Sequence, residues 1–375
     1  MKPASFLAAA IGLALVGGLL AHFGAGAVFR SLLAVGWAGF AAVCLIQAAL
    51  IAVMGIAWWA LLPETRPWPA MWARLVRDSA SEVLPLSQVG GYVAGARAIV
   101  IAGVSGSAAA ASTIVDVTLE FLAQIAYTAI ALSWLLHLEP RARVAAPVAI
   151  GLAVAASLAA GFLFVQRRGF GLLDRFAGAL GHGWAERTAA GAAALHAAIA
   201  EIYARPAGLG AGFALHLICW VASAAEIWLA LRLIGAPLDF GAVLVIESLV
   251  YAIRSLAFAV PNAVGVQEGA YVLLGASFGL TPETALALSL LKRARDLAIG
   301  LPALAAWQLV EGGRLWRRAD RAHGASPDEI PIVAATGVSF PAPGGRGRAT
   351  RIALEDQRGD ITMQAHNAKS GSALQ

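Results

Sequence analysis

The stretch VPNAVGVQEGAYVLLGASFGL, residues 260–280, lies within a long apolar segment yet holds Pro261, Asn262, Gly265, Gln267, Glu268 and Gly269. A straight lipid-facing helix excludes that combination. Proline removes a backbone donor and leaves an earlier carbonyl unpaired. Within a bilayer such freed groups must be buried in protein or lie against a wet cavity. The stretch therefore predicts two half-helices folded back as a re-entrant hairpin, with the breaker at its turn. A second segment, RDSASEVLPLSQVGGYVAGAR at 77–97, repeats the pattern with Pro85, Gly90 and Gly91 between Glu82 and Arg97.

The composition around these segments decides the environment. Of 375 residues 59% are hydrophobic and only 13% charged, with a mean hydropathy of +0.74. A soluble domain of this length needs far more polar surface. Apolar runs at 4–22, 34–62, 107–136, 144–165, 207–234 and 283–310 approach or exceed the roughly 20 residues that cross a bilayer. The reading is an all-α polytopic membrane protein with about six full spans and two broken or re-entrant helices. Lys2 and the run after it also allow a signal peptide; a retained first helix closes the charge count better.

The net charge of +5 is mostly arginine spread over short loops and helix ends. That is an orientation signal rather than a nucleic-acid footprint. Arg66, Arg74 and Arg77, the arginines of 166–206, and Arg314, Arg317, Arg318 and Arg321 place their loops and both termini in the cytoplasm. Arg141 and Arg143 count against the scheme. Eight full spans would leave the termini on the same side, so parity does not separate the two drawings.

The order span, span, hairpin, span fills 4–136 and recurs over 144–310. Three crossings per half insert the halves upside down relative to each other, as in many secondary transporters. Aligning Pro85 with Pro261 sets Asp78 opposite Arg254 and Ser79 opposite Ser255. A transmembrane domain over 1–312 thus precedes a basic, largely disordered tail over 313–375. Between the halves, Phe170, Leu173, Phe176, Leu180 and Trp184 recur at helical spacing, which fits an interfacial or a linker helix.

Charge inside the spans marks the candidate chemistry. STIVDVTLEFLAQ places Asp116 and Glu120 four apart on one helix face, and SLLKRARDLAIG does the same for Lys292 and Asp296, with Arg293 and Arg295 beside them. Each ionised group at that depth costs about 2.5–3.5 kcal/mol on insertion scales. Pairing the acids of one repeat with the bases of the other would offset much of it. Either these pairs lock helices together or they line a polar path. The candidate path residues are Glu82, Pro85, Gly90, Gly91, Arg97, Arg254, Pro261, Gly265, Glu268 and Gly269. Glu268 and Arg97 are expected to meet a head group at mid-membrane, and the glycines and prolines equally serve turn and packing.

Other constellations are missing from the sequence. There is no GxxxxGK[ST], GxSxG or HExxH, and Cys44 and Cys219 lie alone. No cofactor, metal or nucleic-acid partner is expected. His137, His182, His216 and His323 have no partner at ligand spacing. Trp58, Trp59, Trp68 and Trp72 fit an aromatic belt.

LPLSQVGGYVAGARA at 84–98 and residues 260–280 together resemble the paired signatures of the flippase-like transmembrane region of lysylphosphatidylglycerol synthases. ALSLLKRARDLAIGLPALAAWQ at 287–308 is similar to the branch of hopanoid biosynthesis-associated membrane proteins. The resemblance covers about 4–312. It implies a bacterial inner-membrane protein that moves hopanoid or a related lipid between leaflets or membranes. It carries onto Pro85, Gly90, Gly91, Arg97, Pro261, Gly265, Glu268, Gly269, Lys292, Arg293, Arg295 and Asp296. Where relatives often have Gly after the proline, this chain has Leu86 and Asn262. The large soluble domain of the synthases has no counterpart here, because the segment after residue 310 is too short and polar.

The leading expectation is a lipid transporter working without a nucleotide site, downhill or by ion coupling, with Glu268, Asp116, Glu120 and Asp296 as proton carriers. The rivals are a membrane-embedded lipid-modifying enzyme using the same carboxylates, and a scaffold for lipid-biosynthesis proteins.

Overall fold

A computed structural model describes residues 25–83, 88–138, 145–168, 182–257 and 260–324. The expected first span at 4–22, Pro85, Leu86, Arg141, Arg143, residues 170–180 and the tail beyond 324 lie outside the described residues. The described residues up to Arg317 form one compact unit.

The described elements are helical. In chain order they are α1 Ala25–Trp59, α2 Pro67–Val83, α3 Gln88–Ile101, α4 Gly106–Leu138, α5 Ala145–Arg168, α6 His182–Tyr203, α7 Pro206–Ile234, α8 Phe240–Leu256, α9 Val266–Ser277 and α10 Pro282–Gly324. A 3₁₀ turn, Pro261–Ala263, separates α8 from α9. Among the described residues four stretches are long and apolar enough to cross a membrane: Leu33–Trp59, Gly106–His137, Ala145–Arg167 and Pro206–Ile234. Each coincides with an expected span.

The two interrupted segments are broken as expected. With 12 to 17 residues each, α2, α3, α8 and α9 fall short of the roughly 20 residues of a full crossing. Each pair is antiparallel. Gly91 of α3 rests on Ser81 and Arg77 of α2, while Gly95 rests on Arg77 and Ala73. In the other pair Tyr271 bonds Glu247, and Gln267 bonds Arg254.

The pairs enter from opposite ends of α4. The start of α2, the end of α3 and the start of α4 share a pocket with the end of α6. Gly241, at the start of α8, instead packs on Trp134 near the far end of α4. The tips meet between them, where Asn262 Nδ2 donates to the Glu82 carbonyl at 2.6 Å. Local chemistry explains the second tip. Asn262, Ala263 and Gly265 hold φ of 50°, 45° and 82°. Glycine takes that region freely and asparagine tolerates it, so Asn262 can hold the turn without a glycine at its position.

Burial is inverted relative to a soluble protein. Ile150, Val154, Leu158, Phe162 and Phe164 of α5 are exposed, whereas Arg74, Arg77, Asp116, Glu247, Glu268, Lys292 and Arg295 are buried. An apolar exterior around buried charge is the arrangement lipid demands.

Candidate functional site

The first charged cluster is built from α2 and α4. Arg74 and Arg77 are one turn apart on α2, on the face turned to Asp116 and Glu120. Arg77 Nη1 donates to Asp116 Oδ2 at 2.7 Å, and its Nη2 donates to Glu120. Arg74 Nη2 donates to Glu120 Oε1 at 2.7 Å, and its Nε to Asp78 Oδ2 at 2.7 Å. His216 of α7 closes the cluster, with Nε2 2.9 Å from Asp116 Oδ1. Gly91 makes the approach possible, since a Cβ there would stand 2.6 Å from the Arg77 carbonyl.

The second cluster surrounds α10. Lys292 donates to Glu247 and, at 2.9 Å, to the Tyr271 hydroxyl, which itself donates to Glu247. Arg293 donates to Glu268. Glu268 also accepts from Ser289 at 3.2 Å and from the Gly265 amide at 2.7 Å, capping α9. Arg295 reaches Glu226 of α7 and its neighbour Asp296.

Between the clusters lies a cavity of 330 Å³ lined by both. Arg254 crosses it, donating to Glu82 Oε1 at 2.8 Å and to Gln267 Oε1 at 2.6 Å. Four arginines (Arg74, Arg77, Arg254, Arg295) and four acids (Asp78, Glu82, Glu120, Asp296) share its wall with Tyr92, Trp220 and Tyr251. The two charges are not equally presented. The side chains of Asp78 and Glu82 are 23% and 28% exposed, against 4% for Arg74 and Arg77 and 10% for Arg254. The arginines stand behind, committed to carboxylates, and carboxylate oxygens are the more exposed part of the wall.

Several sequence expectations are thereby corrected. Asp116 and Glu120 do not pair with the bases of the other half; they pair within their own, because α2 brings Arg74 and Arg77 nearer. Those two arginines are consequently not loop charges, being 3% and 4% exposed, and they drop out of the orientation count. Glu268, fully buried, does not line the cavity where a head group was expected, and neither does Arg97. Arg97 sits near the end of α3, 42% exposed, and pairs with Glu311 at 2.8 Å. Trp58 is fully buried, donating to Ser112 Oγ at 3.1 Å, rather than part of a belt. Gly269 is no packing glycine, since a Cβ there meets nothing within 4 Å.

Of the remaining candidates, Glu82, Arg254, Arg295, Asp296 and Glu120 line the cavity, while Asp116, Glu268, Lys292 and Arg293 support it from behind. Gly90 and Gly91 open α3, Pro261 sits in the tip turn, and Gly265 caps α9. Sequence reasoning missed Glu226, Glu247 and His216. The two glutamates carried a usable signal, each being an ionisable residue inside an apolar run. His216 carried none, because its partner lies 100 residues away.

Broken helices meeting at a charged cavity, inside an apolar helical shell, define a multi-pass membrane protein. Residues 5–303 match the family described as the lysylphosphatidylglycerol synthase TM region, and the chain belongs to that family. It is a membrane protein of lipid-related processes. No curated protein and no solved structure gives a match.

Proposed function

We propose that the chain is a lipid transporter that moves hopanoid or a related polar lipid between leaflets or membranes. The observation that carries this reading is the cavity between two helix pairs that enter from opposite ends. A site built on broken helices at mid-depth, between halves of recurring element order, is the layout of alternating-access transporters. The order α1, α2–α3, α4 recurs as α7, α8–α9, α10, which supports two inverted repeats within 4–136 and 144–310.

The acceptor-rich wall supports a head group that donates hydrogen bonds, as a hydroxylated head does. Its ring or acyl portion stays in lipid while the head occupies the cavity. Rocking one half against the other exposes the site to either side. Arg66 and Arg205 share one end of the bundle with Glu64 and Glu201, in keeping with a cytoplasmic face there, both termini inside, and residence in the bacterial inner membrane. In this reading Glu82, Glu120, Arg254, Arg295 and Asp296 face the head group, and Asp116, Glu268, Lys292 and Arg293 hold the wall from behind.

The test is reconstitution. Glu82→Gln and Arg254→Gln proteins, inserted normally, should move labelled lipid about tenfold more slowly than the wild type. That factor corresponds to losing one charge-assisted hydrogen bond worth about 1.5 kcal/mol. Unaltered rates in both would overturn the assignment. A change in the mass of the lipid would favour the enzyme instead.

A further inference from the structure

We propose that Glu226, through the carboxyl oxygen that Arg295 leaves unpaired, is a proton-binding site coupling lipid movement to a proton gradient. The inference rests on the transport reading above and supplies its driving ion.

The cations of the second cluster are shared unequally. Arg254, Lys292 and Arg293 hold one carboxylate each: Glu82, Glu247 and Glu268. Arg295 holds two, Glu226 through Nη1 and Asp296 through Nε and Nη2. One carboxylate is therefore in excess at this point. Glu226 is the one that suffers from it. It is 1% exposed, and its Oε2 is buried with no hydrogen-bond partner. An ionised carboxylate is an acceptor only, with about four lone-pair sites to satisfy, so an ionised Glu226 is poorly matched to its surroundings. A proton on Oε2 removes both the surplus charge and the unmet acceptor.

The surroundings single out this carboxyl. Arg295 of α10 is its hydrogen-bonded neighbour, and Asp296 shares that arginine with it. Lys292 of α10 and Glu247 of α8 act on it from the far side, and the Cys44 thiol of α1 is within electrostatic reach. Glu247 is the other acid there, and it is already held by Lys292 and Tyr271. Among the proton carriers expected from sequence, Glu268 is saturated by Arg293, Ser289 and the Gly265 amide. Glu226 alone in this cluster combines deep burial with an open oxygen.

Access comes through the cavity, whose wall includes Arg295 and Asp296, with Glu226 directly behind them. A proton from the aqueous phase forms an O–H bond at Oε2. It leaves by the breaking of that same bond once the site faces the other side, and no other bond changes. Loaded, the group Glu226–Arg295–Asp296 is neutral; unloaded, it carries one negative charge. Rearranging a neutral group in a low-dielectric interior costs less than rearranging a charged one, so loading licenses the movement.

Two measurements test the site. In purified protein, infrared difference spectra across a pH titration should show a protonated-carboxyl band that disappears in Glu226→Gln. In Asp296→Asn the band should shift to lower pH, because Arg295 then serves Glu226 alone. A merely structural role for either residue moves neither signal. In liposomes, an imposed pH gradient should accelerate lipid movement by the wild type and be accompanied by proton flux reported by a trapped dye. Glu226→Gln should move lipid only at the rate seen without a gradient, with no flux. A band unchanged in Glu226→Gln, or acceleration that follows a sodium gradient at fixed pH, overturns the proposal. A wild type that moves no lipid at all sinks the transport reading and the coupling, while the infrared titration still decides the proton site.

Discussion

In the N-terminal half the cations sit on the broken helix, α2, and their acids on the long helix, α4. In the C-terminal half the long helix α10 carries Lys292, Arg293 and Arg295, while α7, α8 and α9 carry Glu226, Glu247 and Glu268. The same problem, charge buried at membrane depth, is solved twice with the signs exchanged. Most of these charges are neutralised within their own half, and His216–Asp116 and Arg254–Glu82 are the pairs that cross. At the cavity the halves are joined by Arg254–Glu82 and by the Asn262 contact to the Glu82 carbonyl. Away from the tips the halves share an apolar core, in which Ala123, Tyr127 and Ala131 of α4 pack with Trp220 and Ala224 of α7 and with Leu244, Val245 and Leu249 of α8.

The sharpest way to break this comparison is to unbalance one half. Glu247→Ala leaves Lys292 buried without its carboxylate, and should cost about 3–5 kcal/mol. Thermal unfolding in detergent should report it, with most of the loss recovered in Glu247→Leu combined with Lys292→Met. A smaller effect separates the two hairpins. Gly91→Ala drives a Cβ into the Arg77 carbonyl and should cost about 1–3 kcal/mol. Gly269→Ala meets open space and should stay within about 0.5 kcal/mol. Equal effects in the two would show that the hairpins pack alike after all. Arg97→Ala should be comparably mild. Its pair with Glu311 is substantially exposed, a class worth about 0–1 kcal/mol. Lipid movement should proceed at the wild-type rate.

The breaks at both hairpins and four of the spans were legible in the sequence because proline, glycine and hydropathy act locally. The charge partners were not. A cation pairs with whichever acid the packing brings within hydrogen-bonding reach, and spacing along one helix does not say which helix lies opposite. Asp116 and Glu120 were recognisable as a face, yet the face that answers them, Arg74 and Arg77, reads as a basic loop until α2 is seen to run to Val83. Glu226 and Glu247 stand singly in apolar runs, where depth without a visible partner gives no role. Asn262 was legible as a departure from glycine, and its φ of 50° shows why the departure is tolerated.

The central claim is a water-accessible cavity between the two tips. Single cysteines at Ser81 and Ser255, which line it, can be placed in a chain with Cys44 and Cys219 replaced by Ala, beside a control at Leu158 on the exposed apolar face of α5. A membrane-impermeant thiol reagent should modify the first two in intact membranes and leave the control unmodified. Cavity cysteines as unreactive as the control would contradict the account.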